Sequence, residues 1–237
     1  MGHKKLIRFK AIESFANVLQ YPENMPGKWK DFFGNENPIV LELACGRGEY
    51  TVGLSRIHPE KNIIGVDLKG NRIYSGALEC IQQNLTNAAF LRTQIDKINS
   101  YFLPGEVSEI WITFPDPQLR TSRAKKRLTH SRFLRLYQDI LQPGGSIHLK
   151  TDSPSLFYFT RLMTDLYGLE VQDASEDVYA RPSNPPEISI KTHYEKLDIA
   201  ESKKVCYLRF TLSEKEIPPP DIRLQELLKQ IEKAESI

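Results

Sequence analysis

The sequence predicts an α/β fold, a doubly wound and mostly parallel seven-stranded sheet with an antiparallel edge strand. Three observations carry this. Short apolar runs of strand length alternate with stretches whose apolar residues recur at helical spacing. The first run leads into a loop bearing two glycines, Gly46 and Gly48, and then a helical pattern. The runs end at polar or proline residues, as strands do where they meet a ligand crevice in an open sheet.

Regular structure is expected to start at Pro38. Ile39 to Leu43 reads as a buried strand, followed by the glycine loop and a helix to about Ile57. Asn62 to Val66 is a second strand, ending at Asp67. Asn71 to Asn84 reads as a helix because Ile73, Ala77 and Ile81 share one face. Ala88 to Arg92 and Ile110 to Thr113 are the third and fourth strands. Phe133, Leu134, Tyr137, Ile140 and Leu141 form a helical stripe that stops at Pro143-Gly144-Gly145. Ser146 to Thr151 is the fifth strand, and a helix covers roughly Ser155 to Leu166. Leu169 to Gln172 and Val205 to Leu212 read as two late strands, a natural place for the antiparallel edge.

Before this core, residues 1–36 read as a basic, irregular arm, partly disordered when free, with a short helix through Ala11 to Leu19. Residues 37–214 form the main domain. Residues 215–237 are a stiff Pro218-Pro219-Pro220 spacer and a helix whose apolar face carries Leu224, Leu227, Leu228 and Ile231. A lone helix of that length is marginal in water, so it is expected to pack on its own domain.

The 237 residues suffice for a sizeable core without a disulfide or metal staple. Cys45, Cys80 and Cys206 are far apart and lack CxxC or Cys/His spacing, which argues against a metal site. No apolar run approaches the ~20 residues of a membrane span, and the N-terminus lacks the apolar stretch of a signal peptide. A cytoplasmic protein, monomer or homodimer, is the expectation. The net charge is only +2, so affinity for a polyanion must come from local clustering.

That clustering follows Phe114-Pro115-Asp116-Pro117. The two prolines end the strand and hold Asp116 on a stiff turn. From Pro117 to Gln138 there is no acidic residue and there are seven basic ones. A fixed carboxylate beside such a strip suggests a polyanion delivered to one reactive spot; a solvated basic helix face is the plainer reading. The loop Glu42 to Gly48 lacks the G-x-G-x-x-G of a nicotinamide site: Thr51 stands where a third glycine should follow Gly46 and Gly48, and position 44 is Ala. Glu42 would also repel a pyrophosphate, whereas a sulfonium cofactor tolerates a nearby acid. Gly46 lets the backbone approach such a ligand closely. Asp67 can accept both hydroxyls of a ribose, and Gln94 can pair with an adenine edge. Asp116 completes a row of polar residues at four successive strand ends.

These residues resemble the bacterial tRNA (guanine-N7)-methyltransferases over about Ile39 to Thr211. The matching motifs are Glu42 to Gly48, Phe114 to Leu128, Asp152, and the Thr-x-Tyr-Glu of Thr192, Tyr194 and Glu195. The resemblance implies a Rossmann-like methyltransferase fold, S-adenosyl-L-methionine as methyl donor with no metal, and tRNA as partner. It implies that Glu42, Gly46, Asp67, Gln94 and Asp116 contact the cofactor and that Asp116 is catalytic. Arg120, Asp152, Thr192, Tyr194 and Glu195 would hold the substrate, with Arg123, Lys125, Lys126 and Arg127 on RNA phosphates. The family usually has glycine at Ala44, an acid at Gln94 and Trp-Pro at Gln118-Leu119. A methyltransferase for small molecules, an RNA-binding protein without catalysis and a dehydrogenase are the alternatives; the broken glycine pattern argues against the last.

Overall fold

The computed structural model describes residues 2–197, 204–213, 215–219 and 222–235. Among them, eight strands form one sheet in the order β1-β4-β3-β2-β5-β6-β8-β7. β2 (Ile39–Leu43), β3 (Asn62–Asp67), β4 (Ala88–Arg92), β5 (Val107–Thr113) and β6 (Leu141–Thr151) run parallel, and β8 (Cys206–Thr211) pairs antiparallel with β6 and with β7 (Glu170–Ser175). The doubly wound sheet and its antiparallel edge are as the sequence predicts. Every residue of β2 and β3 is buried, as expected for strands covered on both faces.

The eighth strand comes from the N-terminal segment, which was expected to be irregular. Where described, it forms helix α1 (Gly2–Ala11), a 3-10 turn at Ile12–Ser14 and strand β1 (Val18–Gln20), which adds parallel to β4. The expected helix through Ala11 to Leu19 is absent. Ile12 is fully buried, and Val18 and Leu19 favour the extended chain that extends the sheet edge. Helix α2 (Trp29–Phe33) plugs Trp29 into the core, where its indole N–H donates to the Tyr101 carbonyl at 2.8 Å.

One face of the sheet is covered by α5 (Ser131–Ile140) and α6 (Pro154–Tyr167) over the largest apolar cluster. The other face carries α3 (Glu49–Ile57) and α4 (Gly70–Gln82). The C-terminal helix α8 (Ile222–Glu235) packs on its own domain: Leu224 is buried in the main core, and Ile217 just before the prolines is buried and hydrogen-bonded to Gln138. Among the described residues, no helix is long and apolar enough to cross a membrane.

Candidate active site

β2 lies between β3 and β5, so the chain order reverses at its C-terminal end and opens a crevice there. Residues 44–48 cross that crevice and lead into α3. Ala44, Gly46 and Gly48 all take left-handed conformations, with φ of 59°, 56° and 79°. At Ala44, where a glycine would be relaxed, this costs about 1 kcal/mol. The two glycines divide the work. Gly46 lines the crevice, with nothing closer than 3.9 Å to a Cβ placed there. Gly48 is needed for packing, since a Cβ there would lie 2.6 Å from the Phe90 ring.

Thr51 stands where a nucleotide loop has its third glycine, and it anchors the loop instead. Its amide and its hydroxyl both donate to Glu42 Oε2, at 2.7 and 2.6 Å, and Thr113 Oγ donates to Oε1 at 2.9 Å. Gly65 makes the room, because a Cβ there would strike Thr51 Oγ1. Glu42 thus ties β2 to α3 and β5 from the crevice floor, with only 1% of its surface exposed. Burial pushes its carboxyl up from the usual 4.5 to about 7, against the lowering by the threonine hydrogen bonds. The folded state therefore holds this proton more tightly than the unfolded chain. The associated stabilisation is complete below about pH 4.5 and lost as pH rises through 7. Glu42→Gln should remove that decline and stabilise the protein at pH 8 by up to ~3 kcal/mol. Denaturant melts of both proteins at pH 5 and pH 8 check this; parallel pH profiles would contradict it.

Two cavities meet at Ala44. The first, of about 210 Å³, lies between the glycine loop, Phe114 and Thr192-His193. The second, of about 390 Å³, is lined by Asp67, Leu68, Gln94, Ile95 and Phe133 among others. The structure thus places Glu42 and Gly46 on the first cavity and Asp67 and Gln94 on the second, with Ala44 common to both, while Asp116 lines neither. Asp67 accepts the Gly46 amide at 3.0 Å through one oxygen and the Lys69 amide at 2.7 Å through the other, and each oxygen keeps a lone pair. Gln94 is exposed and makes no cap bond to the 3-10 turn it precedes. Cys45 beside them is buried, which pushes its thiol well above the usual range and removes it as a thiolate nucleophile.

The turn after β5 carries Asp116. Phe114, at φ 46°, lines the first cavity, and its amide donates to the Lys150 carbonyl at 2.8 Å. Asp116 is exposed, and its Oδ1 accepts the Gln118 amide at 3.0 Å, closing a tight turn in which Gln118 is also left-handed. The basic strip behind it is not uniform. Arg120, Arg123, Lys125 and Lys126 are exposed. Arg127, expected on RNA, is instead 5% exposed: its guanidinium donates to the carbonyls of Pro117, Gln118 and Leu119 and lies 4.4 Å over the Phe159 ring. A rigid five-donor fork suits that task, and Arg127 braces the Asp116 turn from inside. Arg132 is paired with Asp96, and Arg135 donates to the Pro218 carbonyl.

Opposite this turn, Thr192 and Glu195 form a capping box on the short helix α7 (His193–Lys196): the Thr192 amide donates to Glu195 Oε2 at 2.8 Å, and the Glu195 amide to Thr192 Oγ1 at 3.3 Å. Thr192 and His193 reach the first cavity. Tyr194 lies on the same helix, and its side chain falls outside the described residues. Glu195, expected to face substrate, is turned inward. Its Oε1 accepts Lys150 Nζ at 2.8 Å and the Tyr179 hydroxyl at 2.7 Å, with its side chain 4% exposed. Lys150 is fully buried and also donates to the Ile188 and Ile190 carbonyls, each at 2.9 Å. Burial lowers its ammonium below the usual lysine value, with Glu195 opposing that shift. Asp152, just past β6, is exposed; the N-cap of α6 falls to Ser153, whose hydroxyl accepts the Leu156 amide.

Residues 36–208 match a family described as putative methyltransferase. The chain is 46% identical over 228 residues to the tRNA (guanine-N(7)-)-methyltransferase of Porphyromonas gingivalis, covering 90% of this chain and 93% of that one. It is 45% identical over 235 residues to the enzyme of the same name from Bacteroides thetaiotaomicron, covering 95% and 92%. The chain belongs to the tRNA (guanine-N7)-methyltransferase family. Among solved structures, the 16S rRNA (adenine(1408)-N(1))-methyltransferase from Catenulisporales acidiphilia matches with a TM-score of 0.59 at 16% identity, covering 81% of this chain and 95% of that one. A variant of that enzyme solved with its cosubstrate SAM matches with a TM-score of 0.54 at 15% identity, over 84% and 95%. At such identities the likeness shows the fold, which is that of Rossmann-like methyltransferases.

Within this family member, sequence reasoning missed Lys150, Thr51 and Thr113 as the anchors of the site. Lys150 left a signal, a lysine inside a strand expected to be buried, between Leu149 and Thr151. His193 and the arginines at the crevice, Arg8, Arg47 and Arg72, left none, because only the folded chain brings α1, the loop and α4 together.

Proposed function

We propose that this protein transfers the methyl group of S-adenosylmethionine to N7 of a variable-loop guanine in tRNA, in the cytoplasm. The observation that carries the reading is the Asp116 turn: an exposed carboxylate fixed two residues past Phe114, which lines the first cavity, and followed by exposed cations, in a chain of this family. The crevice residues fit the donor. Asp67 retains lone pairs for two ribose hydroxyls, Gln94 offers an amide to the adenine edge, and Gly46 leaves the backbone open. S-adenosylmethionine, when bound, supplies an electrophilic methyl carbon on a sulfonium.

Guanine N7 has a free lone pair, so no proton is removed before transfer and no strong general base is needed. The protein's task is to align N7 with the methyl group, which effective-molarity arguments make a large part of the rate. The methylated ring gains positive charge, and the carboxylate of Asp116 stabilises it as it forms. The target base turns out of its stack to reach the first cavity, where Thr192 and His193 form the far wall. Asp152 is exposed just past β6, and its carboxylate is the acid we assign to accept from N1–H and the amino group, selecting guanine over adenine. Glu195 works behind it by holding α7 in place. Arg120, Arg123, Lys125 and Lys126 grip phosphates and position the tRNA without reading its sequence.

Incubation of the protein with methyl-labelled S-adenosylmethionine and unmodified total tRNA, then nucleoside analysis, tests the reading. 7-Methylguanosine is the expected product; label confined to small molecules, or to no product, overturns it. The cofactor half is tested by Asp67→Ala. Losing charge-assisted bonds worth ~1.5–3 kcal/mol each should raise the calorimetric Kd more than tenfold. An unchanged Kd would place the ribose elsewhere.

A further inference from the structure

The first cavity is rimmed by three exposed arginines from three separate elements: Arg8 of α1, Arg47 of the glycine loop and Arg72 of α4. α1 is seated firmly enough to aim its side chain. A Cβ on Gly70 at the start of α4 would meet Ile12 at 2.6 Å and Phe9 at 3.3 Å, so the two segments touch closely. The Arg8 guanidinium lies 5.5 Å over the Tyr74 ring of α4. Lys5 and Lys10 of α1 are exposed as well. This helix lies outside residues 36–208, which the family description covers. Across the same cavity stands Phe114, at the head of the turn that leads to Arg120 and the exposed cations behind it.

The cofactor alone does not account for three arginines. S-adenosylmethionine carries a sulfonium, an ammonium and one carboxylate, a net charge of +1. Glu49 on the same cavity offsets one of these arginines, and the Glu42 carboxyl is taken up by Thr51 and Thr113, so gathering the remaining cations around it is unfavourable unless further anions enter the same space. A nucleotide turned out of its stack brings them, because it stays joined to a phosphate on each side. The Arg120 strip can serve one flank of the base, and the other flank faces α1 and α4.

We propose that Arg8, Arg47 and Arg72 form a phosphate clamp that grips the RNA backbone beside the target guanosine, on the wall of the first cavity made by α1, the glycine loop and α4. Arginine suits this, since its planar fork binds phosphate oxygens in pairs. α1 thereby becomes part of the RNA site. The proposal rests on the tRNA reading above and adds where the second flank of the substrate lies.

The test is tRNA binding by the full-length protein at several salt concentrations, alongside calorimetry with S-adenosylmethionine. Arg8→Ala should make the slope of log affinity against log salt shallower by about 0.7–0.9, the value for one phosphate contact. Arg8→Lys keeps the charge and should restore the slope. Cofactor affinity of Arg8→Ala should stay within about twofold, a shift below ~0.4 kcal/mol. The companion variant Arg123→Ala/Lys125→Ala/Lys126→Ala should lose up to about 2–3 units of slope from the other flank. An Arg8→Ala slope equal to that of the wild type, while the companion variant loses its share, overturns the clamp and leaves the tRNA reading standing. A more than tenfold loss of cofactor affinity with unchanged tRNA binding also overturns it, by assigning Arg8 to the cofactor carboxylate. A wild-type protein with no salt-dependent tRNA binding removes the tRNA reading itself, and the clamp with it.

Discussion

Asp116→Asn is expected to lower the turnover number roughly 10²–10³-fold while leaving the fold and cofactor affinity close to those of the wild type. The substitution separates two things the aspartate does. Its Oδ1 accepts the Gln118 amide and closes the turn, a job the asparagine carbonyl can take over. Its charge faces solvent, and only that is removed. Asp116→Ala removes both, so it should lose the same activity and additionally about 1 kcal/mol of stability from the broken turn contact. The turn itself should survive in either variant, because Arg127 holds three of its carbonyls from beneath and both flanking prolines remain. Single-turnover methylation of saturating tRNA reads the chemical step directly. An asparagine variant with near wild-type turnover would mean that the carboxylate's charge is not used.

Lys150→Met should cost about 3–5 kcal/mol, because it strands a buried carboxylate rather than merely deleting a contact. Lys150 is fully buried and gives its three protons to Glu195, Ile188 and Ile190. Without it, Glu195 keeps, among the described residues, the Tyr179 hydroxyl and the Thr192 amide, and two carbonyls lose their donor. For a chain of this size the melting temperature should fall by roughly 10 °C. The damage should also reach function, since the bonds of Lys150 and Glu195 fix the segment that carries Thr192 and His193 into the cavity. The KM for tRNA should therefore rise more than the Kd for the cofactor. Adding Glu195→Gln removes the stranded charge, so the double variant should be more stable than Lys150→Met alone by at least ~1 kcal/mol. Strictly additive losses would show that the pair is not coupled.

The sheet was legible because its strands are buried on both faces and therefore nearly continuous in apolar residues, as in Ile39–Leu43 and Asn62–Val66. The crevice was legible for the same reason, since a polar residue closing such a run, like Asp67, stands out. β1 was not legible: three residues at an edge, half-buried, carry no alternation to read. Nor was the inward turn of Glu195 or Arg127, because a charged residue's sequence neighbours do not reveal which buried partner it will meet. Thr192 and Glu195 did carry a readable signal, the T-x-x-E of a capping box, which the substrate reading obscured.

The most direct measurement uses two tRNA transcripts that differ in one atom. The first is unmodified; the second has 7-deazaguanine at the variable-loop target, so that a C–H replaces N7. With methyl-labelled S-adenosylmethionine, the first should accept one methyl group per molecule and the second none, while both bind with the same salt dependence. Equal labelling of the two transcripts would contradict transfer to N7 of that guanine.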